Sequence, residues 1–399
     1  MDVDRNREKL CTQKLYPSVN NSDLLEFRIP PNGKGHLDLG NVLLHFKVTV
    51  PTPSDKSTSK PQNLLGPKQF SSVEVRVNGE TATRRSCANE YFLASYFQHL
   101  INYSADYQTS ALKPVGIYDF NQTTATTLAG YSATVKSAMV TSRSTVSDSQ
   151  EYEILMSIDS SIFYTTDLLP TNTPIDLSFE RIGAGSSTMF FKTATIANDV
   201  NTLNDVYLIL PFVKSDNLFN LERNAVARPI KIHYDDYVIR RFNIPKSSTN
   251  VRMNNIITGN LPSKFFWAIQ RIESYTGNFQ ESSTRFNRNN MTKANLYVDG
   301  NEVADYPVTM TGAHVTVPFV KFLQNTNQQN NGYLSRTLTL REFEDSNFIL
   351  SASMDPESSG SISLEFEFSS VVNHDLVLIT CAIADKTLKL DNNRNIQIV

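Results

Sequence analysis

Apolar and polar residues alternate with a period of two over much of this chain. Leu44, Phe46, Val48 and Val50 alternate with His45, Lys47 and Thr49. Tyr152, Ile154, Met156 and Ile158 form a second such run, Ile175, Leu177 and Phe179 a third, and Ile362, Leu364, Phe366 and Phe368 a fourth. Strict alternation puts one face of a strand in a core and the other in water. Val206–Leu210 and Leu376–Ile379 are continuously apolar, as expected of strands covered on both faces. Asn78-Gly79 and Asp299-Gly300 predict tight hairpins, because a type I′ turn needs positive φ at both central residues. One segment follows a helical period instead. In Asn89–Asn102, Phe92, Tyr96 and Leu100 recur every four residues, beside Leu93, Phe97 and Ile101. Ser86 is its expected N-cap, with Glu90 in the first turn.

Ser-, Thr-, Asn- and Gln-rich stretches separate these elements at 51–69, 119–150, 183–203, 275–293 and 324–335. Long connections between short strands, with one helix, point to an all-β sandwich architecture. Short words recur along it. Phe27-Arg28-Ile29-Pro30 is matched by Phe242-Asn243-Ile244-Pro245, and Gly40-Asn41 by Gly259-Asn260, at offsets of 215 and 219. The hairpin words Val75–Gly79 and Tyr297–Gly300 follow at 221. Leu177–Glu180 and Leu364–Glu367, then Asp205–Ile209 and Asp375–Ile379, recur at 187 and 170. A repeat on this scale means two related domains rather than a solenoid. The expected division is an arm over 1–22, a first domain over 23–222 and a second over 223–399. The shrinking offset assigns extra residues to the first domain, at 119–150 and 183–203.

Composition narrows the chemistry. The 399 residues carry 37 basic and 40 acidic side chains, a formal net charge of −3, so no basic groove for nucleic acid is indicated. Arg84-Arg85 and Arg240-Arg241 are the nearest approach to one. The three cysteines, Cys11, Cys87 and Cys381, form no CxxC pair and suggest neither a disulfide framework nor a zinc site. The charged start Met1–Arg5 lacks the apolar core of a secretory signal, so synthesis in a reducing compartment is expected. None of the six histidines stands in HxH or HExxH spacing, and His45 and His99 read as surface or satisfied histidines rather than ligands. No GxSxG elbow or phosphate loop occurs; Gly33-Lys34-Gly35 reads as a turn. Asp235-Asp236 and Glu342/Glu344 give no acid–base pair without a pocket. Neither a catalytic residue, nor a metal ligand, nor a cofactor is expected. Glu365 and Glu367 share one strand face, directed either at water or at a basic group across an oligomer contact.

The ordered set of words resembles the double jelly-roll major capsid proteins of Polinton/Maverick elements and adintoviruses, in the lineage of adenovirus hexon and virophage capsids. The resemblance rests on Phe27-x-Ile29-Pro30, Val75–Gly79, Leu100–Tyr103, Pro229–Lys231, Phe242-x-Ile244-Pro245, Asn255 to Pro262, Tyr275-x-Gly277, Leu296–Gly300 and Asp391–Asn395. It covers the chain from about residue 23; 119–150 has no counterpart in it. It implies two eight-stranded antiparallel jelly rolls in one chain. It also implies a homotrimeric, pseudo-hexameric capsomer that tiles an icosahedral shell around double-stranded DNA. The expected partners are other copies of the chain and penton or minor capsid proteins. The arm 1–22 would reach weakly toward genome or an inner membrane, and the expected location is the virion. Phe27, Ile29, Pro30, Gly40, Asn41, Asn78, Gly79, Phe242, Ile244, Pro245, Gly259, Asn260, Asp299 and Gly300 are its structural motif positions. A soluble jelly-roll binding module, domesticated or lectin-like, and a minor shell protein are the alternatives.

Overall fold

A computed structural model describes residues 8–31, 35–49, 60–61, 64–83, 90–103, 151–170, 172–182, 190–191, 202–214, 230–277, 283–310, 315–326, 338–391 and 395–398. The first half holds β1 (Glu8–Leu15), β2 (Leu24–Ile29), β3 (Leu43–Thr49), β4 (Phe70–Val77), β5 (Glu80–Thr83), helix α1 (Glu90–Asn102), β6 (Glu151–Ser157), β7 (Ile175–Arg181) and β8 (Thr202–Lys214). The second holds β9 (Ile230–Ile244), β10 (Asn250–Asn260), β11 (Lys264–Arg271), α2 (Ile272–Thr276), β12 (Met291–Val298), β13 (Asn301–Glu302), α3 (Thr316–Asn325), α4 (Leu340–Asp345), β14 (Ile349–Ser353), β15 (Ser359–Phe368) and β16 (Leu376–Leu390).

The pairings between these strands are antiparallel, and the two halves repeat them. β1 pairs β8, β8 pairs β3 and β3 pairs β6 in one sheet. β2, β7, β4 and β5 follow one another in the facing sheet. Adding eight to each number gives the second half: β9-β16-β11-β14 and β10-β15-β12-β13. This order, with consecutive strands crossing between two sheets, is a jelly roll, and the chain contains it twice. Short strands extend the sheets, among them His36–Asp38 against β8 and Ile396–Ile398 against β16.

Two expectations change here. Residues 1–22 are not an arm throughout, because β1 is the first strand of the first sandwich, paired with β8 from Glu8↔Lys214 to Leu15↔Leu208. The helix content also exceeds the expectation: α3 and α4 lie in the second half, and α3 runs two residues into the stretch read as a loop at 324–335. α3 buries Pro318, Phe319, Phe322 and Leu323, a helical stripe. α4 starts with a capping box between Thr339 and Glu342.

Strand alternation fixes which connections share an end. β10 and β11 are joined by only Leu261–Ser263, and β12 and β13 by Asp299-Gly300. The β14–β15 link, Met354–Ser358, closes the same end. Asp299 ties it together, its Oδ1 accepting from Ser361 N at 2.7 Å. The connections β3–β4, β5–β6 and β7–β8 in the first half, and their counterparts in the second, belong to the opposite end. The insertions expected at 119–150 and over most of 183–203 fall outside the described residues, but the strands flanking them meet this end.

The halves share one hydrophobic core cluster. α1 is wedged between them. Its Tyr96 and Phe97 rings lie 5.4 and 5.9 Å from Phe286 of the second half. Tyr96 OH donates to Asn347 Oδ1, and Asn102 Nδ2 donates to Tyr237 OH at 2.9 Å. Beside the helix, Ser161 Oγ donates to Asp236 Oδ1 at 3.0 Å and accepts from Tyr237 N at 3.3 Å. The outer edge of β9 is therefore covered by the first jelly roll.

Candidate functional site

The motif residues resolve into true counterparts and coincidences. Asn78-Gly79 and Asp299-Gly300 form the same turn in the two halves, with φ of 48° and 88° in one and 51° and 80° in the other. Leu177 stands across from Val75, and Leu364 across from Leu296, so β7 and β15 share register as well as sequence. The Phe-x-Ile-Pro words are not equivalent. Phe27 and Ile29 end β2, whereas Phe242 and Ile244 end β9. Phe27 lies across from Leu177, and Leu364 lies across from Met253, making Met253 its counterpart. Phe242 lies across from Leu378 and Leu15 across from Leu208, so Phe242 corresponds to Leu15. Pro30 and Pro245 each follow a strand end, where a residue without an N–H stops the ladder. Gly40-Asn41 and Gly259-Asn260 both precede the third strand of their jelly roll but differ locally. Gly40 sits in a 3-10 turn where a Cβ would meet Thr165 O at 2.7 Å, and Gly259 closes β10 at φ +107°.

Polar side chains meet most densely behind α1, where Ser95, His99 and Asp159 are all buried. The His99 ring stands between the other two, Nδ1 3.3 Å from Ser95 Oγ and Nε2 3.9 Å from Asp159 Oδ1, but the shorter contacts bypass the order a nucleophilic relay uses. Ser95 Oγ donates directly to Asp159 Oδ2, and His99 Nδ1 donates to the Ser95 carbonyl at 2.6 Å. Tyr164 OH also donates to Asp159, and Tyr91 OH accepts from Asp159 N at 3.0 Å. Burial, reinforced by the Asp159 charge, pushes both tyrosine hydroxyls well above their usual titration range. The cluster joins α1 to the end of β6, and its Asp159 and Tyr91 also line a small hollow shared with Tyr237 and Ile239 of β9.

His45 is satisfied as expected: its two ring nitrogens lie 2.9 Å from Asp205 O and from Glu153 Oε1. His314, Arg84, Arg85, Gly33 and Lys34 lie outside the described residues, as does Ser86, the expected helix cap. Arg240 Nη1 donates to Ile256 O at 2.7 Å, and Arg241 packs on Tyr275 with 5.4 Å to the ring centroid. These arginines are thus committed within the second jelly roll. Burial, and then the neighbouring Asp385, raises the Asp235 carboxyl above its ordinary value. Among the described residues no group of three or more metal-ligating side chains comes together. No helix among them is long and apolar enough to cross a membrane.

Glu365 and Glu367 find their partners inside the chain. Tyr297 OH donates to Glu365 at 2.8 Å, and Lys293 Nζ donates to Glu367 at 3.0 Å. An open hollow of about 570 Å³ lies where β9 and β10 meet α2, lined by Arg241, Phe242, Met253 and Tyr275.

No family model matches the sequence, and no curated protein does. Solved structures match it over nearly its whole length. A chain of the Sputnik virophage particle, solved by cryo-EM, superposes with a TM-score of 0.69 at 10% identity, covering 100% of this chain and 90% of that one. A chain from the PBCV-1 virus capsid gives 0.58 at 10% identity, covering 99% and 98%. The mavirus major capsid protein gives 0.57 at 11%, covering 97% and 90%. The fold is therefore the double jelly roll of these structures.

Proposed function

We propose that this chain is a major capsid protein. On this reading it forms homotrimers whose six jelly rolls make a pseudo-hexameric capsomer, and these tile an icosahedral shell around double-stranded DNA. The observation that carries it is the repeated strand order: two sandwiches in one chain with the same eight strands, as in capsid chains that it covers nearly end to end. Two barrels per chain let three chains present six similar walls. The long connections gathered at one end of each jelly roll supply the face turned away from the shell, where insertions disturb no core. The first jelly roll, with the longer insertions, contributes more of that face. Self-association comes first among the partners, then penton and minor capsid proteins, and the location is the virion. The Polinton/Maverick and adintovirus affinity stays part of this proposal, resting on the motif words. Any contact with genome or inner membrane now falls to the residues before Glu8, since β1 is built into the sheet.

The test is native mass and electron microscopy of the expressed protein. A trimer of 44.9 kDa chains weighs 134.7 kDa and is expected to yield closed shells or hexagonal arrays. A stable monomer that never forms particles would overturn the reading in favour of a binding module.

A further inference from the structure

The open hollow on the second jelly roll is one corner of the sandwich, built from the end of β9, the first part of β10, the start of β16 and α2. The register supplies the same corner in the first jelly roll. With Phe242 matching Leu15 and Leu378 matching Leu208, Arg241 matches Lys14, Asn243 matches Tyr16 and Val377 matches Tyr207. One strand further in, His45 lies across from Tyr207 and Gln270 across from Val377. In the first jelly roll this row is filled by rings. Tyr16 meets Tyr207 edge to face at 6.1 Å, His45 stacks on Tyr207 at 4.3 Å, and Lys14 Nζ lies 4.1 Å over the same ring. In the second, Asn243, Val377 and Gln270 take those places. The rings are missing there, and a hollow of about 570 Å³ stands beside the row, within the size range of small-molecule sites.

The lining carries one sign of charge. Arg241 is exposed, and its packing on Tyr275 holds the guanidinium in place. Only Nη1 is used, donating to Tyr275 OH at 3.1 Å, and among the described residues no carboxylate pairs with this arginine. No acidic side chain stands among the described lining residues. The exposed Asn243 amide makes no hydrogen bond among the described residues, and Asn254 uses only its Oδ1, accepting from Arg252 Nε at 3.2 Å. Beside them Phe242, Met253 and Ile272 are half-buried and leave apolar surface in the wall. In the row behind, Gln270 is 1% exposed, and neither of its amide atoms finds a partner among the described residues. A guanidinium with N–H groups to spare matches a carboxylate or a sulfate. Amides beside an apolar wall match a hydroxylated ring that has one apolar face.

We propose that this hollow binds an acidic sugar, with the anionic group on Arg241, hydroxyls on Asn243 and Asn254, and the apolar ring face toward Phe242 and Ile272. A metal cation does not suit it, because the one charged residue in the described lining is itself a cation. The hollow lies at the end of the second jelly roll where the β9–β10, β11–β12 and β15–β16 connections meet. In the capsomer proposed above that end is turned away from the shell, toward the acidic saccharides of a cell surface. Only this last step rests on the capsid reading, since the site is built within one chain.

The test is a ligand-observed NMR titration of the full chain with 3′-sialyllactose, a sulfated heparin disaccharide and, as the neutral control, lactose. At least one acidic sugar should bind about tenfold or more tighter than lactose, the difference a charge-assisted hydrogen bond makes. Which of the two binds tells carboxylate from sulfate. Two variants remove the site in different ways. Arg241→Gln takes away the charge, and Asn243→Tyr puts back the ring that the first jelly roll carries while Arg241 stays. Each should weaken acidic-sugar binding about tenfold or more, with wild-type circular dichroism. No binding of either acidic sugar, lactose binding as tightly, or full binding retained in either folded variant overturns the assignment. Native mass on the same sample reads the capsid proposal separately. A monomer that binds the sugar overturns the trimer and keeps the site, and a trimer that binds neither acidic sugar does the reverse.

Discussion

The first and second jelly rolls share strand order but not the surroundings of their first strand. β9 runs for 15 residues, and Tyr234, Asp236 and Ile239 on it are buried. β1 runs for 8 residues and presents consecutive exposed side chains at Thr12, Gln13 and Lys14. The difference is position in the chain of contacts: β9 has the first jelly roll against its edge, and among the described residues β1 has no jelly roll against its own. A strand edge with unpaired N–H and C=O groups invites a partner unless it is short or charged. The comparison teaches that the duplication is incomplete inside one molecule.

The sharpest way to break the comparison is to weaken one jelly roll and ask whether the other follows. Trp267, the only tryptophan, is fully buried in β11 with Phe265 and Tyr306 at 5.2 and 5.6 Å. Trp267→Ala should cost about 3–5 kcal/mol in chemical denaturation followed by circular dichroism. In the wild type, Trp267 fluorescence reports on the second jelly roll alone. Its transition should coincide with the circular dichroism transition, because α1 joins both cores. A separate early transition would show that the halves unfold independently. Next in size is Asp236→Ala. Asp236 pairs with Lys386 and accepts from Ser161 across the junction, so about 1.5–3 kcal/mol should be lost. Because α1 still joins both cores through Tyr96, Phe97 and Asn102, the two probes should still coincide in this variant, and their separation would show that the Ser161–Asp236 contact carries the coupling.

How much of this was legible in sequence depends on where each residue's partners lie. The Asn78-Gly79 and Asp299-Gly300 turns could be read directly, since their geometry is local and needs positive φ. The alternating strands and α1 could be read because one face of each is buried. β1 was missed for the opposite reason. Glu8-Lys9-Leu10-Cys11-Thr12-Gln13-Lys14 carries no apolar period, and Thr12, Gln13 and Lys14 of this edge strand are exposed. The Phe-x-Ile-Pro match misled because any strand that ends at a proline can carry that word. Only the register across β7, β15, β8 and β16 distinguishes Leu15 and Met253 as the real counterparts. α3 and α4 did carry readable signals, in the Phe319/Phe322/Leu323 stripe and the Thr339–Glu342 capping box. The junction of Ser161, Asp236 and Tyr96 with Asn347 was illegible, because the sequence separations are large and nothing local marks them.

Where the two jelly rolls are alike, substitutions should act alike. Gly79 and Gly300 have φ of +88° and +80°, and a Cβ at either meets nothing within 4 Å. Gly79→Ala and Gly300→Ala therefore test backbone strain without a clash. Each should cost about 1–2 kcal/mol, the penalty of a left-handed L-residue. Equal losses in thermal unfolding would support equivalent turns, and a loss confined to one would break that equivalence.

The smallest expected effect lies on the outer face of β15, where the halves have solved one problem differently. Glu180 on β7 accepts from Ser72 Oγ at 2.8 Å, while Glu367 at the matching place on β15 accepts from Lys293 at 3.0 Å. The lysine titrates in alkali and the serine does not, so only the second arrangement responds to high pH. Its hydrogen bond with Glu367, and then the Glu367 charge, raises the Lys293 amine above its ordinary value of 10.5. A raised amine pKa in the folded state stabilises below the unfolded value and loses that contribution as pH rises through the folded one. Lys293→Ser copies the first half's arrangement. Its melting temperature should fall slightly below wild type at neutral pH, and the gap should close in alkali above about pH 10.5, where the wild-type amine loses its proton. Exposed pairs of this kind contribute little and are screened by salt. The gap should therefore also narrow as salt is added. A difference that persisted unchanged in alkali and in salt would show that Lys293 acts through packing of its methylene stem on the sheet, and the two carboxylates would then be held equivalently after all.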